Sequence, residues 1–110
     1  MSEGERVAEQ EAGEEVRVVD NPEEGRYELQ LDDQLVGFSA YVLRPMRLIF
    51  THTEIGGAHE GKGLGSKLAK GALDDVRRRG LRVTPRCPFI AAYIRRHPEY
   101  DDLVEDLRRQ

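Results

Sequence analysis

The sequence holds a single cysteine, Cys87, which excludes an internal disulfide framework and a multi-cysteine metal site. No apolar run approaches the roughly 18 residues that a membrane span requires. The N-terminus is acidic and lacks an apolar core, so it reads as neither a secretory signal nor an Arg-rich transit peptide. Internal repeats are missing too. At 110 residues the chain is the size of one domain. These absences give a soluble, cytoplasmic protein as the default expectation.

What is present is unevenly distributed. Residues 1–15 carry six glutamates against Arg6, and residues 61–100 carry ten Lys/Arg against Asp74, Asp75 and Glu99, a net of +7 (10 − 3). The formal net charge of −4 therefore describes the N-terminal segment. The C-terminal half suits an anionic partner. Residues 1–13 are Glu- and Gly-rich with few large apolar side chains, and read as a disordered tail before a domain at 14–110.

From Glu15 the pattern is extended. "VRVVD", "RYELQL" and "LVGFSAYVL" read as strands separated by the turns "NPEEG" and "DDQ". "RLIFTHTEI" alternates Leu48, Phe50, His52 and Glu54 against Ile49, Thr51, Thr53 and Ile55. The reading is a four-strand antiparallel meander. Leu64, Leu68, Ala72, Leu73 and Val76 then recur at helical spacing, and the helix closes at Arg77–Arg79 with Gly80 as its stop. A short strand "LRVTP" follows. Cys87-Pro88 opens a second helix, with Pro88 suited to its first position, and Pro98 ends it. The fold class expected is α/β (α+β), a mostly antiparallel sheet with two main helices.

Between the meander and the first helix lies "AHEGKGLGSKL". Three alternate glycines ahead of a helix let backbone N–H groups approach a phosphate. A P-loop needs G-x-x-x-x-G-K-[ST], and Gly63 occupies the place of the Mg²⁺-holding hydroxyl. The dinucleotide fingerprint G-x-G-x-x-G meets Ser66 or Leu68 at its third glycine, and a meander is the wrong context for it. Gly61, Gly63 and Gly65 instead suit a pyrophosphate at the N-terminus of a helix starting near Leu64, with Lys62 adding charge at the rim.

That strand, loop and helix resemble the acetyl-coenzyme A loop of the GNAT (general-control-related N-acetyltransferase) superfamily, whose pattern [Q/R]-x-x-G-x-[G/A] is met by Gly63-Leu64-Gly65. Glu60 departs from it, standing where Arg or Gln is usual. "HTEI", "GKGLGSKLAKGALDDVR" and "TPRCPFIAAYIRRHPEYDDLV" together resemble the minimal GNAT-like family of about one hundred residues. The resemblance implies a truncated GNAT-type fold over about residues 15–105, with acetyl-coenzyme A or coenzyme A as the ligand. It also implies a thioester carbonyl polarised by a backbone N–H near Ile55, and a catalytic role for Cys87. The cofactor-binding set expected is Ile55, Glu60, Gly61, Lys62, Gly63, Leu64, Gly65, Ser66, Cys87 and Tyr93. Tyr93 and Phe89, at helical spacing, read first as core residues, with lining of the ligand's pantetheine arm as the alternative. Cys87 sits at the helix start beside Arg86, and both features favour a thiolate. Glu54 is the candidate base or amine contact, with His52 as its helper.

The function expected is acetyl transfer to an amine, on a small molecule or a protein lysine. A non-catalytic acyl-coenzyme A-binding or regulatory module is the alternative. Nucleic-acid binding is a third reading prompted by the basic half. Against it, that segment has only Phe89, Tyr93 and Tyr100 as aromatics and no recognition motif.

Overall fold

The computed structural model describes residues 15–59 and 61–105. The expected tail at 1–13 and the candidate Glu60 lie outside the described residues.

Apolar alternation and turn chemistry set the meander. Strands β1 (Val16–Asn21), β2 (Arg26–Leu31), β3 (Gln34–Arg44) and β4 (Arg47–Ile55) pair antiparallel in sequence order. The β2–β3 connection is a two-residue turn in which Asp32 (φ 51) and Asp33 (φ 73) adopt the left-handed conformation that matches strand twist. Strand β5 (Arg82–Pro85) then joins β4 in parallel, after the crossover helix α1 (Leu64–Arg78). Helix α2 (Pro88–Arg96) is capped by Cys87 and is followed by a 3-10 segment, Pro98–Leu103. Val104 then bridges in parallel to Val83, a further short rung on the sheet. No helix among the described residues is long and apolar enough to cross a membrane.

Both helices cover one face of the sheet. Tyr27, Leu29, Leu48, Phe50 and Val83 of the strands meet Leu68, Leu73 and Val76 of α1 and Ile90 and Ile94 of α2 in one core. Each large apolar side chain buried there contributes roughly 1.5–3 kcal/mol relative to exposure. Gly71 lets α1 settle onto β1, since a Cβ at that position would lie 2.7 Å from Val18. The opposite sheet face is open, with Arg26 lying over the ring of Phe38 (4.8 Å) and paired with Glu28 (2.9 Å).

Two register shifts interrupt the meander, one at Val36 and one at Thr51. The second decides the site. Tyr41 pairs with Phe50, but the next residue back, Ala40, pairs with His52, leaving Thr51 as an extra residue on β4. Because side chains alternate with period two, an extra residue reverses every face assignment beyond it. Thr53 and Ile55 thereby join Leu48 and Phe50 on the helix-covered side. His52 and Glu54 are turned to the open face. This corrects the uninterrupted alternation expected from "RLIFTHTEI".

Candidate binding cleft

Strands β4 and β5 run together only from Arg47–Phe50 against Arg82–Pro85. There the Phe50 carbonyl accepts from both the Arg86 N–H (3.0 Å) and the Cys87 N–H (2.9 Å). Pro88 then starts α2 and carries the chain away, so residues 51–55 of β4 have β3 on one side only. The Gly56 N–H donates to the Val36 carbonyl at 2.8 Å. In an antiparallel ladder, hydrogen-bonded and non-hydrogen-bonded pairs alternate. His52 and Glu54 therefore bond to β3, while Thr53 and Ile55 aim their N–H and C=O groups at the open edge.

That edge forms one wall of a cleft of about 380 Å³, lined by Thr53, Ile55, His59, Gly61, Gly63, Gly65, Ser66 and Phe89. The far end of the cleft is the start of α1. Gly63 is the N-cap with φ 76, a conformation costly for most side chains, and no side chain caps the helix. The first helical bond runs from the Lys67 N–H to the Gly63 carbonyl (3.3 Å). The N–H groups of Leu64, Gly65 and Ser66 consequently have no intrahelical partner, and they point their partial positive charge out of the helix end. A Cβ at Gly61 or Gly63 would meet nothing within 4 Å, so the ground before these donors is clear. Free N–H groups, a helix dipole and open space fit a phosphate.

The three glycines have different reasons to be there. Gly61 (φ 83) and Gly63 meet a conformational need. Gly65 meets a steric one, because a Cβ there would lie 2.7 Å from Phe89 Cζ. Bare backbone at Gly65 lets the ring from α2 close the side of the cleft.

The other expected site residues are scattered. Ile55, Gly61, Gly63, Gly65 and Ser66 line the cleft. The side chain of Leu64 is buried in the core, so it has only backbone groups to offer the cleft. Lys62 is exposed and does not line the cleft. Tyr93 is a core residue stacked on His97 (centroids 4.0 Å apart) and does not line the cleft, in keeping with its core reading. His52 Nε2 and Glu54 Oε2 lie 2.8 Å apart on the open face, separated from the cleft by the strand itself. Cys87 caps α2 as read, but its thiol is 2% exposed and lies behind Thr53, with Sγ 3.2 Å from Thr53 Oγ1. Arg77, Arg78 and Arg79 stand at the opposite end of α1 from the loop. Arg77 holds Asp102 in a two-armed pair (2.9 and 3.0 Å), Arg78 pairs with Asp75, and Arg79 bonds Asp20 (3.1 Å) and Tyr27 (2.9 Å).

Two lining residues escaped the sequence reading. Thr53 was hidden by the reversed face, and nothing in the polar run "THTE" signals an extra residue. His59 lies in the 3-10 turn Gly57–His59 and lines both this cleft and a second one shared with Phe38 and Glu54. Its Nδ1 is buried and has no hydrogen-bond partner among the described residues. Among those residues no group of three or more His, Cys, Asp or Glu is placed to hold a metal ion.

A family model described as GCN5-related N-acetyl-transferase matches residues 26–103, from β2 through the 3-10 segment after α2. Among curated proteins none matches the chain.

Proposed function

Since the chain belongs to the GCN5-related N-acetyltransferase family, we propose that it moves an acetyl group from acetyl-coenzyme A to an amine. The observation that carries this reading is the single cleft joining an open strand edge to an uncapped helix N-terminus. An extended arm bearing amides can pair with the Thr53 and Ile55 edge as an added strand would. The pyrophosphate at its other end is then within reach of the N–H groups of Leu64, Gly65 and Ser66. Lys62 and Lys67 add positive charge around the same loop.

Acetyl transfer from a thioester asks mainly for placement. The carbonyl needs a donor, for which the outward N–H groups of β4 are suited. The amine must shed a proton. We assign that task to Glu54, with His52 beside it, for an amine arriving from the open face near the Thr51 bulge. Cys87 lies deeper, behind Thr53, and contributes through that contact. The acceptor class is a primary amine of a small molecule or of a protein lysine.

The sealed thiol and the outward-turned carboxylate also suit a module that binds acyl-coenzyme A without turning it over. One experiment separates the two. Calorimetry with acetyl-coenzyme A measures binding, and a free-thiol assay with a panel of amines measures transfer. Binding with amine-dependent thiol release is the expected result. Binding without such release sinks the transferase in favour of the module, and no binding sinks both.

A further inference from the structure

Behind the cleft wall is a line of three small polar side chains, one from each of β3, β4 and the cap of α2. Ser39 Oγ lies 2.6 Å from Thr53 Oγ1, which lies 3.2 Å from Cys87 Sγ. Ser39 is fully buried and Cys87 nearly so, whereas Thr53 is half-buried and lines the cleft. The three groups bring three hydrogens to two contacts, so one hydrogen is spare.

Its position follows from solvation. Among the described residues the Ser39 hydroxyl has Thr53 as its one partner, so it donates there. Thr53 Oγ1 has two acceptor lone pairs, and the second can take the Cys87 S–H. The Thr53 hydrogen is then spare and points into an accessible cleft. The opposite polarity would strand the Cys87 hydrogen in the core, where an unmatched donor is penalised. Two incoming hydrogen bonds also polarise the Thr53 O–H and make it a stronger donor.

We propose that Thr53 is a catalytic residue whose hydroxyl donates to the thioester sulfur as it becomes a thiolate, with Ser39 and Cys87 as its positioning residues. This rests on the acetyl-transfer reading above. As the amine nitrogen forms the C–N bond, the C–S bond breaks and its electron pair leaves on sulfur. The nitrogen releases its proton through water to the Glu54 carboxylate, the base assigned above. The Thr53 hydroxyl keeps its own and stabilises the departing charge by hydrogen bonding alone.

The test compares Thr53→Val, Thr53→Ser and Cys87→Ala. Loss of one donor aimed at developing charge lowers kcat by about a hundredfold. That loss is expected in Thr53→Val, with the KM for acetyl-coenzyme A nearly unchanged. Thr53→Ser should recover most of it, and Cys87→Ala should lose less than Thr53→Val. A second readout needs no turnover. The pH at which bound coenzyme A forms its thiolate, followed by ultraviolet difference absorbance, should rise by about one unit in Thr53→Val. Because that variant strands Ser39, the pair Ser39→Ala/Thr53→Val serves as a folded control, checked by melting temperature. Transfer that survives in the folded Thr53→Val protein, or a thiolate midpoint that stays put, overturns the role of Thr53 alone. An unmodified chain that releases no thiol to any amine overturns the transfer reading with it.

Discussion

A Cβ on Gly65 would stand 2.7 Å from Cζ of Phe89, so any side chain at position 65 requires the ring from α2 to shift. Gly65→Ala must displace the half-buried ring. Overpacking of this kind is destabilising by about 1–3 kcal/mol. In a domain this small, each kcal/mol lowers Tm by roughly 4–8 °C. The shortened side chain in Gly65→Ala/Phe89→Leu should recover part of the loss, because the two positions share one contact. Equal Tm values for Gly65→Ala and the unmodified chain would contradict the packing described.

Gly63 presents the opposite case, a positive φ with open space around it. Asp and Asn tolerate this conformation better than other side chains. A carboxylate at a helix N-terminus also favours the helix. Gly63→Asp should therefore stay folded while repelling a phosphate from the same N–H groups. We expect coenzyme A affinity to fall at least about tenfold, a change of 1.4 kcal/mol. Gly63→Asn, uncharged, should lose much less. Calorimetry giving the two variants the same affinity would remove the pyrophosphate from this loop.

Deletions along β4 offer a test of the bulge. Removing Thr51 closes the ladder between the Tyr41–Phe50 and Ala40–His52 pairs without changing which residues face inward. Removing Thr53 shifts Glu54 to the inner face and Ile55 to the outer one. The Thr51 deletion should thus keep a cooperative melt, with Tm well above that of the Thr53 deletion. If the Thr53 deletion melts at the higher temperature, the extra residue is not where the register puts it.

The polar network at the far end of α1 sets the alkaline limit of stability. Tyr27 donates to Asp75 (2.6 Å) and Tyr41 to Asp20 (2.6 Å). Burial pushes the Tyr27 phenol up to about 12 against the opposing charge of Arg79. Burial and the bond to Asp20 push Tyr41 up to about 12 as well. A raised phenol contributes stability that is full below the unfolded value of about 10 and is lost as pH rises through the folded one. Tm should fall between about pH 10 and 12, and less so in Tyr41→Phe. At the acid end, burial works against the Asp74 carboxylate. Hydrogen bonds from Tyr100 (2.6 Å) and Lys70 (2.9 Å) outweigh it and hold the group below the usual carboxylate range. Its contribution is present above about pH 4 and is lost as pH falls further. A Tm that is flat from neutral pH to strong alkali would show that the two phenols ionise freely.

Much of the element order was legible because its signals are local. The turn residues at Asp32-Asp33, the helical spacing from Leu64 to Val76, Gly80 as a stop and Pro88 as a start each act within a few residues of themselves. The glycine loop was legible for the same reason. The backbone N–H groups it presents follow from glycine and a helix start.

The sequence by itself thus determined the strands, the helices, their order and the presence of a loop suited to a phosphate. Tertiary structure alone decided what shares that loop's cleft. The extra residue at Thr51 is a property of the β3–β4 pairing, because a bulge exists only relative to a partner strand. It brought Thr53 to the cleft and took His52 and Glu54 away from it. Cys87 could be placed at a helix cap from its neighbours, but its burial behind Thr53 depends on where β4 passes, thirty-four residues earlier in the chain. Side-chain contacts at that separation are set by packing of the whole core, and no local pattern carries them.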